Sequence, residues 1–385
     1  MTFVGPFLAF AATAALIVLL RPLAISIGLV DVPSSRKSHS GNIPLIGGMA
    51  IFVGSLIALI TQQWLTGAGL TVSTQLGPFF LTCFILLFIG AWDDYRPLPP
   101  VVRLLAQVFA SLVMIYVGGV VLIDLGNLSL DNTPLMLGVM SVPFTVFACL
   151  GVINAMNMCD GLDGLSGSLA LISLLGFGIA NTLWGDLGDQ HLIVVFAACV
   201  AAFLMFNLRT LWRSKAWVFL GDAGSMLLGI TLCWVAISMS QGIDRVISPS
   251  AVLWVLMLPI YDAFNMMIRR LLKRRSPFKA DREHLHHIFL LAGFSVGESV
   301  TLMAGIAVGG VVIGLGSVYL QLPELIVSLM FVAVGGLYYW MMRRAWRVMR
   351  FLRRSICRRG EIERRAVRNR RVSIVEYEGG EKRSG

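Results

Sequence analysis

The chain has 385 residues, of which 57% are hydrophobic and only 14% charged, and its mean hydropathy is +0.81. These values exclude an ordinary soluble domain and call for a polytopic membrane protein. The formal net charge of +10 does not signal nucleic acid, because the basic residues follow the alternation of loops about a membrane rather than forming one binding face.

Apolar runs of roughly 19 residues fall near 3–29, 47–65, 77–92, 104–123, 139–156, 165–183, 191–208, 225–240, 249–268, 298–320 and 324–342. Each is close to the length a bilayer requires, which predicts an all-α polytopic membrane protein with about 11 transmembrane helices. The first run lacks a basic leader and a small-residue cleavage site, so it reads as a retained span, with a kink or early exit at Arg21-Pro22. Five of the six cysteines lie in or beside apolar runs without metal-type spacing, and no disulfide framework is expected.

The loops 31–46, 93–103, 209–217 and 269–297 and the tail from 343 fall on one side of the membrane. With Arg21 counted there, that side carries every Lys and Arg of the chain except Arg245. The positive-inside rule then predicts the N-terminus outside and the C-terminus and basic loops in the cytoplasm. Residues 1–342 are expected to form one transmembrane domain, with the loops 31–48, 93–103, 157–164, 209–225 and 269–297 on this cytoplasmic side. Residues 343–385 form a basic cytoplasmic tail, in which Trp346, Met349, Leu352 and Ile356 recur at helical spacing and suit the anionic inner leaflet.

The polar groups gather on that same side. In the first basic loop Arg36, Lys37 and His39 are suited to phosphate, ahead of Gly47-Gly48. Asp93-Asp94 end the third run and, pointing about 100° apart on a helix, can serve different partners, one as a base toward a phosphate and the other toward a metal or a basic group. Charge balance against Arg96 and Arg103 is the plainer alternative.

Asn154, Asn157, Asp160 and Asp163 recur every third residue with Gly161 and Gly164 among them, so that each polar group can reach the next along a helical turn. Four such groups at the mouth of a span are costly unless something binds there. Asp222, flanked by Gly221 and Gly224 before the eighth run, suits either a hard cation holding a diphosphate or a simple helix cap. Asp262 lies inside the ninth run, an ionisable group in lipid and hence a functional candidate.

His284, His286 and His287, three of the five histidines, follow Arg282 in a strongly basic loop. Such surroundings favour phosphate over a cation, with zinc as the runner-up. Clustering at one membrane face fits an enzyme joining a soluble substrate to a lipid headgroup. A lipid or nucleotide-sugar transporter would place its groups near the midplane, in repeated halves.

These motifs, in this order from Asp31 to Phe294, resemble those of the polyprenyl-phosphate N-acetylhexosamine-1-phosphate transferases, glycosyltransferase family 4. Within the family the similarity is greatest to the bacterial branch that uses UDP-GlcNAc and undecaprenyl phosphate. The resemblance implies a multi-span fold with a cytoplasmic site, dependence on Mg²⁺ (or Mn²⁺), and transfer of N-acetylhexosamine 1-phosphate, GlcNAc-1-phosphate by default, to undecaprenyl phosphate with release of UMP. Such a step opens O-antigen, common-antigen or related envelope polysaccharide synthesis. UDP-GalNAc, UDP-QuiNAc and UDP-FucNAc remain alternative donors, and dimerisation is left open.

By motif, Asn157 and Asp222 match the metal site, Asp160 and Asp163 the nucleotide and catalytic acids, Asp93-Asp94 the acidic pair, and His284, His286 and His287 the histidine loop. Asp93 is the candidate for keeping the lipid phosphate ionised, and Asn154 braces the stretch or contacts substrate. Two departures stand out. Pro97 replaces a third acid of the acidic motif, and the loop reads His-Leu-His-His, which argues against a MurNAc-pentapeptide donor.

Overall fold

The computed structural model describes residues 4–32, 41–65, 76–131, 133–185, 190–210, 213, 215–272 and 284–344. Arg36, Lys37, His39, Arg282 and the tail beyond 344 lie outside these.

In lipid a backbone must satisfy its own hydrogen bonds, and the apolar runs accordingly form helices. In chain order they are α1 (Val4–Ile27), α2 (Gly47–Leu65), α3 (Leu76–Tyr95), α4 (Pro100–Tyr116), α5 (Ser141–Cys159), α6 (Leu165–Trp184), α7 (Gln190–Asn207), α8 (Gly221–Ser240), α9 (Pro249–Val255), α10 (Met257–Leu272), α11 (Leu285–Ala292), α12 (Val296–Tyr319) and α13 (Glu324–Arg343). The protein is an all-α polytopic membrane protein. Among the described residues, nine of these helices are long and apolar enough to cross a bilayer. The α9–α10 pair, bent by 83°, makes a tenth if it is one span.

The difference from the expected eleven lies at α4. The run 104–123 suggested a full span, but the helix ends at Tyr116 after 17 residues, about 25 Å at 1.5 Å per residue. Gly118-Gly119 stop it, Gly119 having a φ of 70°. The helix nonetheless joins the two ends of the bundle. Arg103 in its first turns meets Asp222 at the start of α8. Just beyond its last turn, the amides of Ile123 and Asp124 donate to Gln241 at the far end of α8.

α8 is the axis of the fold. Nearly every residue from Gly221 to Ser240 is buried, with α2, α3, α5 and α6 packed around it. Small residues permit this: a Cβ on Gly48 or Gly90 would strike the α8 backbone at Gly224 or Ala223. Farther along, Phe79 meets Trp234 edge-on at 5.2 Å and Phe196 at 5.4 Å, filling the space between α3, α7 and α8.

At one end of the bundle a short antiparallel pair, β1 (Val30–Asp31) with β2 (Ile43–Pro44), closes the loop after α1. The chain then runs along the α8 entrance, where Gly47 and Gly48 donate to the carbonyls of Phe219 and Leu220 at 3.0 and 3.2 Å. This end also holds the C-termini of α3 and α5 and the N-terminus of α8, and the candidate site forms there. The opposite end holds Arg245, bridged to Asp124 and Glu324. α13 is peripheral, burying only Val327 and Met342 fully.

Candidate active site

Acids at a helix C-terminus oppose the macrodipole, so Asp93 and Asp94 at the end of α3 need partners from elsewhere. The structure gives them different ones. Asp93, with 6% of its side chain exposed, accepts from Arg103 Nη1 at 2.8 Å and from the Leu98 amide at 2.6 Å. Asp94 accepts from the amides of Asp222 and Ala223 at 2.8 and 3.2 Å. It therefore caps α8 from another helix, a task no side chain of α8's own N-cap residue performs. Gly221 makes this approach feasible: its φ is 74°, and a Cβ there would collide with the Asp94 carboxylate.

The same Arg103 Nη1 reaches Asp222 Oδ2 at 3.1 Å, so one guanidinium joins α3 to α8. On the other side of Asp222, Asn157 Nδ2 donates to Oδ1 at 2.7 Å and to Ser225 Oγ at 2.9 Å. One turn deeper, Asn154 donates to Gln107 Oε1 at 2.8 Å. Arg103 and Gln107, four residues apart on one face of α4, thus hold α8 and α5 respectively.

Asp160 follows the end of α5. Its carboxyl is pushed well above the ordinary range, first by burial and then by the nearby charges of Asp222, Asp94 and Asp163. Asp163 faces the other way, pairing with Arg209 Nε at 2.7 Å. Asn207 ties this turn in place, accepting from the Gly164 amide at 2.7 Å and donating to the Val218 carbonyl at 2.8 Å.

The histidine run reaches the same turn. Asp262, 1% exposed on α10, accepts from His284 Nδ1 at 2.7 Å, from the Leu285 amide at 3.2 Å and from the Tyr338 hydroxyl at 2.8 Å. His286 stacks parallel to His284 at 5.5 Å and lies 4.2 Å from the His287 ring, centroid to centroid. Its Nε2 abuts Gly161, where an added Cβ would stand 2.6 Å away. Burial, and then the charges of His287 and His284, lower its pKa to about 3, so its ring is neutral.

The sequence candidates therefore fall into two joined groups, Asp93, Asp94, Asn157, Asp160 and Asp222 about Arg103, and Asp262 with the histidines. Asp163 sits beside the first group on Arg209, and Asn154 lies beneath it on Gln107. Arg103, Gln107, Asn207, Arg209 and Tyr338 carry contacts that the motif reading passed over or gave only as charge balance. Isolated polar residues in or at the ends of apolar runs were the available signal for Arg103, Gln107, Asn207 and Arg209. Nothing marked Tyr338 out from interfacial aromatics.

Among the described residues no three His, Cys, Asp or Glu side chains form a ready metal site. The donor chemistry nevertheless fits a hard cation. Among the described residues, Asp93, Asp94, Asp160 and Asp222 outnumber the one guanidinium that meets them, that of Arg103. Asp222, Asp160 and the Asn157 carbonyl are oxygen donors of the kind Mg²⁺ takes, with water and phosphate completing its shell.

A family model described as glycosyl transferase family 4 matches residues 76–240, from α3 through α8. An undecaprenyl-phosphate alpha-N-acetylglucosaminyl 1-phosphate transferase of Yersinia pestis is 35% identical over 356 residues, covering 92% of this chain and 93% of its own. Proteins of the same description from Salmonella typhi, at 36% identity over 90% of this chain and 92% of theirs, and from Haemophilus influenzae, at 35% over 92% and 95%, are similarly alike. Identity of this level over nearly the whole length establishes the relationship: the chain belongs to glycosyl transferase family 4.

Proposed function

We propose that the chain transfers N-acetylglucosamine 1-phosphate from UDP-GlcNAc to undecaprenyl phosphate and releases UMP. The observation that carries this reading is the gathering of four aspartates about Arg103 at one end of a helix bundle, where a soluble diphosphate and a lipid headgroup can meet. An oxygen of the lipid phosphate attacks the phosphorus next to the sugar. The bond from that phosphorus to the bridging oxygen breaks, and UMP leaves with that oxygen.

Such chemistry is mostly positioning and charge neutralisation. Asp222 and Asn157 would hold Mg²⁺ (or Mn²⁺), which when bound neutralises the diphosphate. Arg103 is poised to exchange a carboxylate for a phosphate oxygen. Both Asp93 oxygens are engaged, which suits holding Arg103 better than taking a proton. Asp94 sets the start of α8, Asp160 faces the nucleotide, and Asp163 acts on the nucleotide side through its pairing with Arg209. The histidines meet phosphate oxygens, helped on sequence grounds by Arg36, Lys37, His39 and Arg282.

Counting α4 and the bent pair as crossings gives eleven, with the N-terminus outside and the site and C-terminus in the cytoplasm. That topology fits the basic residues gathered at the site end. The membrane is then the bacterial inner membrane, the basic tail rests on its anionic leaflet, and the reaction opens an envelope polysaccharide such as O-antigen.

Proteoliposomes holding undecaprenyl phosphate test this with UDP-GlcNAc, UDP-GalNAc and UDP-MurNAc-pentapeptide in parallel. Lipid-linked product from UDP-GlcNAc, lost in Asp222→Asn, is expected. Product from another donor alone would change the sugar, and uptake of intact UDP-GlcNAc without product would favour a transporter.

A further inference from the structure

α13 is the least buried span of this bundle, yet it is tied to the broken helix α9–α10 by a row of polar contacts. Trp254 Nε1 donates to the Val327 carbonyl at 3.1 Å, and the Tyr261 hydroxyl donates to the Phe331 carbonyl at 2.6 Å. Both close on α13 backbone in lipid, as attachments do. The third contact differs. Tyr338, on the same face and seven residues beyond Phe331, donates to the Asp262 carboxylate, which in turn holds His284 and the first amide of α11.

Three donors converge on one buried carboxylate, so Asp262 is an ionised acceptor. An acceptor opposite Nδ1 fixes the His284 proton on that nitrogen and leaves Nε2 as the ring's other functional atom. With the Tyr338 hydroxyl gone, Asp262 would lose a donor and its orientation. His284 would then pair with a less firmly held carboxylate, and its ring would be less firmly set against His286.

We propose that Tyr338 is a positioning residue for the transfer reaction, acting through Asp262 to orient His284, so that α13 contributes to the active site. The proposal rests on the transferase reading above, with His284 meeting a phosphate oxygen. It adds α13, which lies beyond the residues matched by the family model, to the working parts.

The test uses the full chain in detergent or nanodiscs and measures kcat and KM for UDP-GlcNAc and undecaprenyl phosphate. Tyr338→Phe should lower kcat by about tenfold, the scale of one hydrogen bond to a charged group, with little change in either KM. Tyr261→Phe removes a donor that attaches α13 without touching Asp262, and should keep kcat near wild type.

In a His284→Ala background Tyr338→Phe should add nothing further, because both changes act through one group. With ¹⁵N-labelled histidine, the His284 Nδ1–H resonance, identified by its loss in His284→Ala, should move in Tyr338→Phe and stay put in Tyr261→Phe. Wild-type kcat in Tyr338→Phe, equal losses in both tyrosine variants, or an undiminished Tyr338→Phe loss in the His284→Ala background would each overturn the proposal. Wild-type protein that makes no lipid-linked product would instead overturn the transferase reading, while the resonance still reports on the Tyr338–Asp262–His284 link.

Discussion

Asp94 on α3 accepts from the backbone amide of Asp222 on α8 at 2.8 Å, so one acid of the site holds in place the helix that presents another. Asp94→Ala should therefore act like loss of an N-cap, costing about 1 kcal/mol and lowering the apparent melting temperature in detergent. Asp94→Asn keeps an acceptor oxygen and should recover most of that stability. Activity should follow the same order, with Asn above Ala. Equal activity losses with no change in melting would assign Asp94 to direct chemistry instead.

Arg103 neutralises Asp93 and Asp222 together. Its removal should make the ligand-free site more attractive to a divalent cation and less competent in transfer. Arg103→Ala is expected to bind Mn²⁺ more tightly than wild type, read by electron paramagnetic resonance, while kcat falls by about two orders of magnitude, the scale of a lost transition-state donor. Weaker Mn²⁺ binding in this variant would contradict the account of Arg103 as the competing cation.

Gly161 lies against the His286 ring. Gly161→Ala should push the histidine run away from the α5–α6 turn, cutting activity strongly while the protein stays monodisperse. Gly151, where a Cβ meets nothing within 4 Å, is the control: Gly151→Ala should leave activity unchanged.

Two groups give the protein opposite pH responses in buffer free of divalent cations. Asp160 holds its proton in the folded state above the range of about 4 where an unfolded Asp releases it. Its contribution to stability is therefore lost as the pH rises through its folded value. His286 is neutral when folded down to about 3 but takes a proton near 6.5 when unfolded, so its contribution is lost as the pH falls from there. Asp160→Asn should flatten the alkaline side of a melting-temperature profile and His286→Gln the acidic side. Neither side changing would remove these groups as its cause.

Much of the architecture is legible in the sequence because lipid imposes one rule, that apolar runs become helices. The run 104–123 is legible as a helix but not in its bounds, since Gly118-Gly119 end α4 at Tyr116 while Arg103 and Gln107 turn inward. The site acids are legible as acids because charge at a span's end demands a partner. Their division of labour is not. Asp93 and Asp94 are adjacent in sequence, yet one faces Arg103 and the other the α8 amides, a difference set by how α3 packs against α4 and α8. Tyr338 lies 76 residues from Asp262, and only the fold of α13 onto α10 brings them together.

The most direct test of the central claim follows the phosphorus next to the sugar. UDP-GlcNAc labelled with ³²P at that position, given to the purified protein with undecaprenyl phosphate, should put its label into a lipid-soluble product with one UMP released per label transferred. Label recovered in UDP, with unlabelled sugar on the lipid, would mean that sugar rather than sugar phosphate is transferred and would contradict the account.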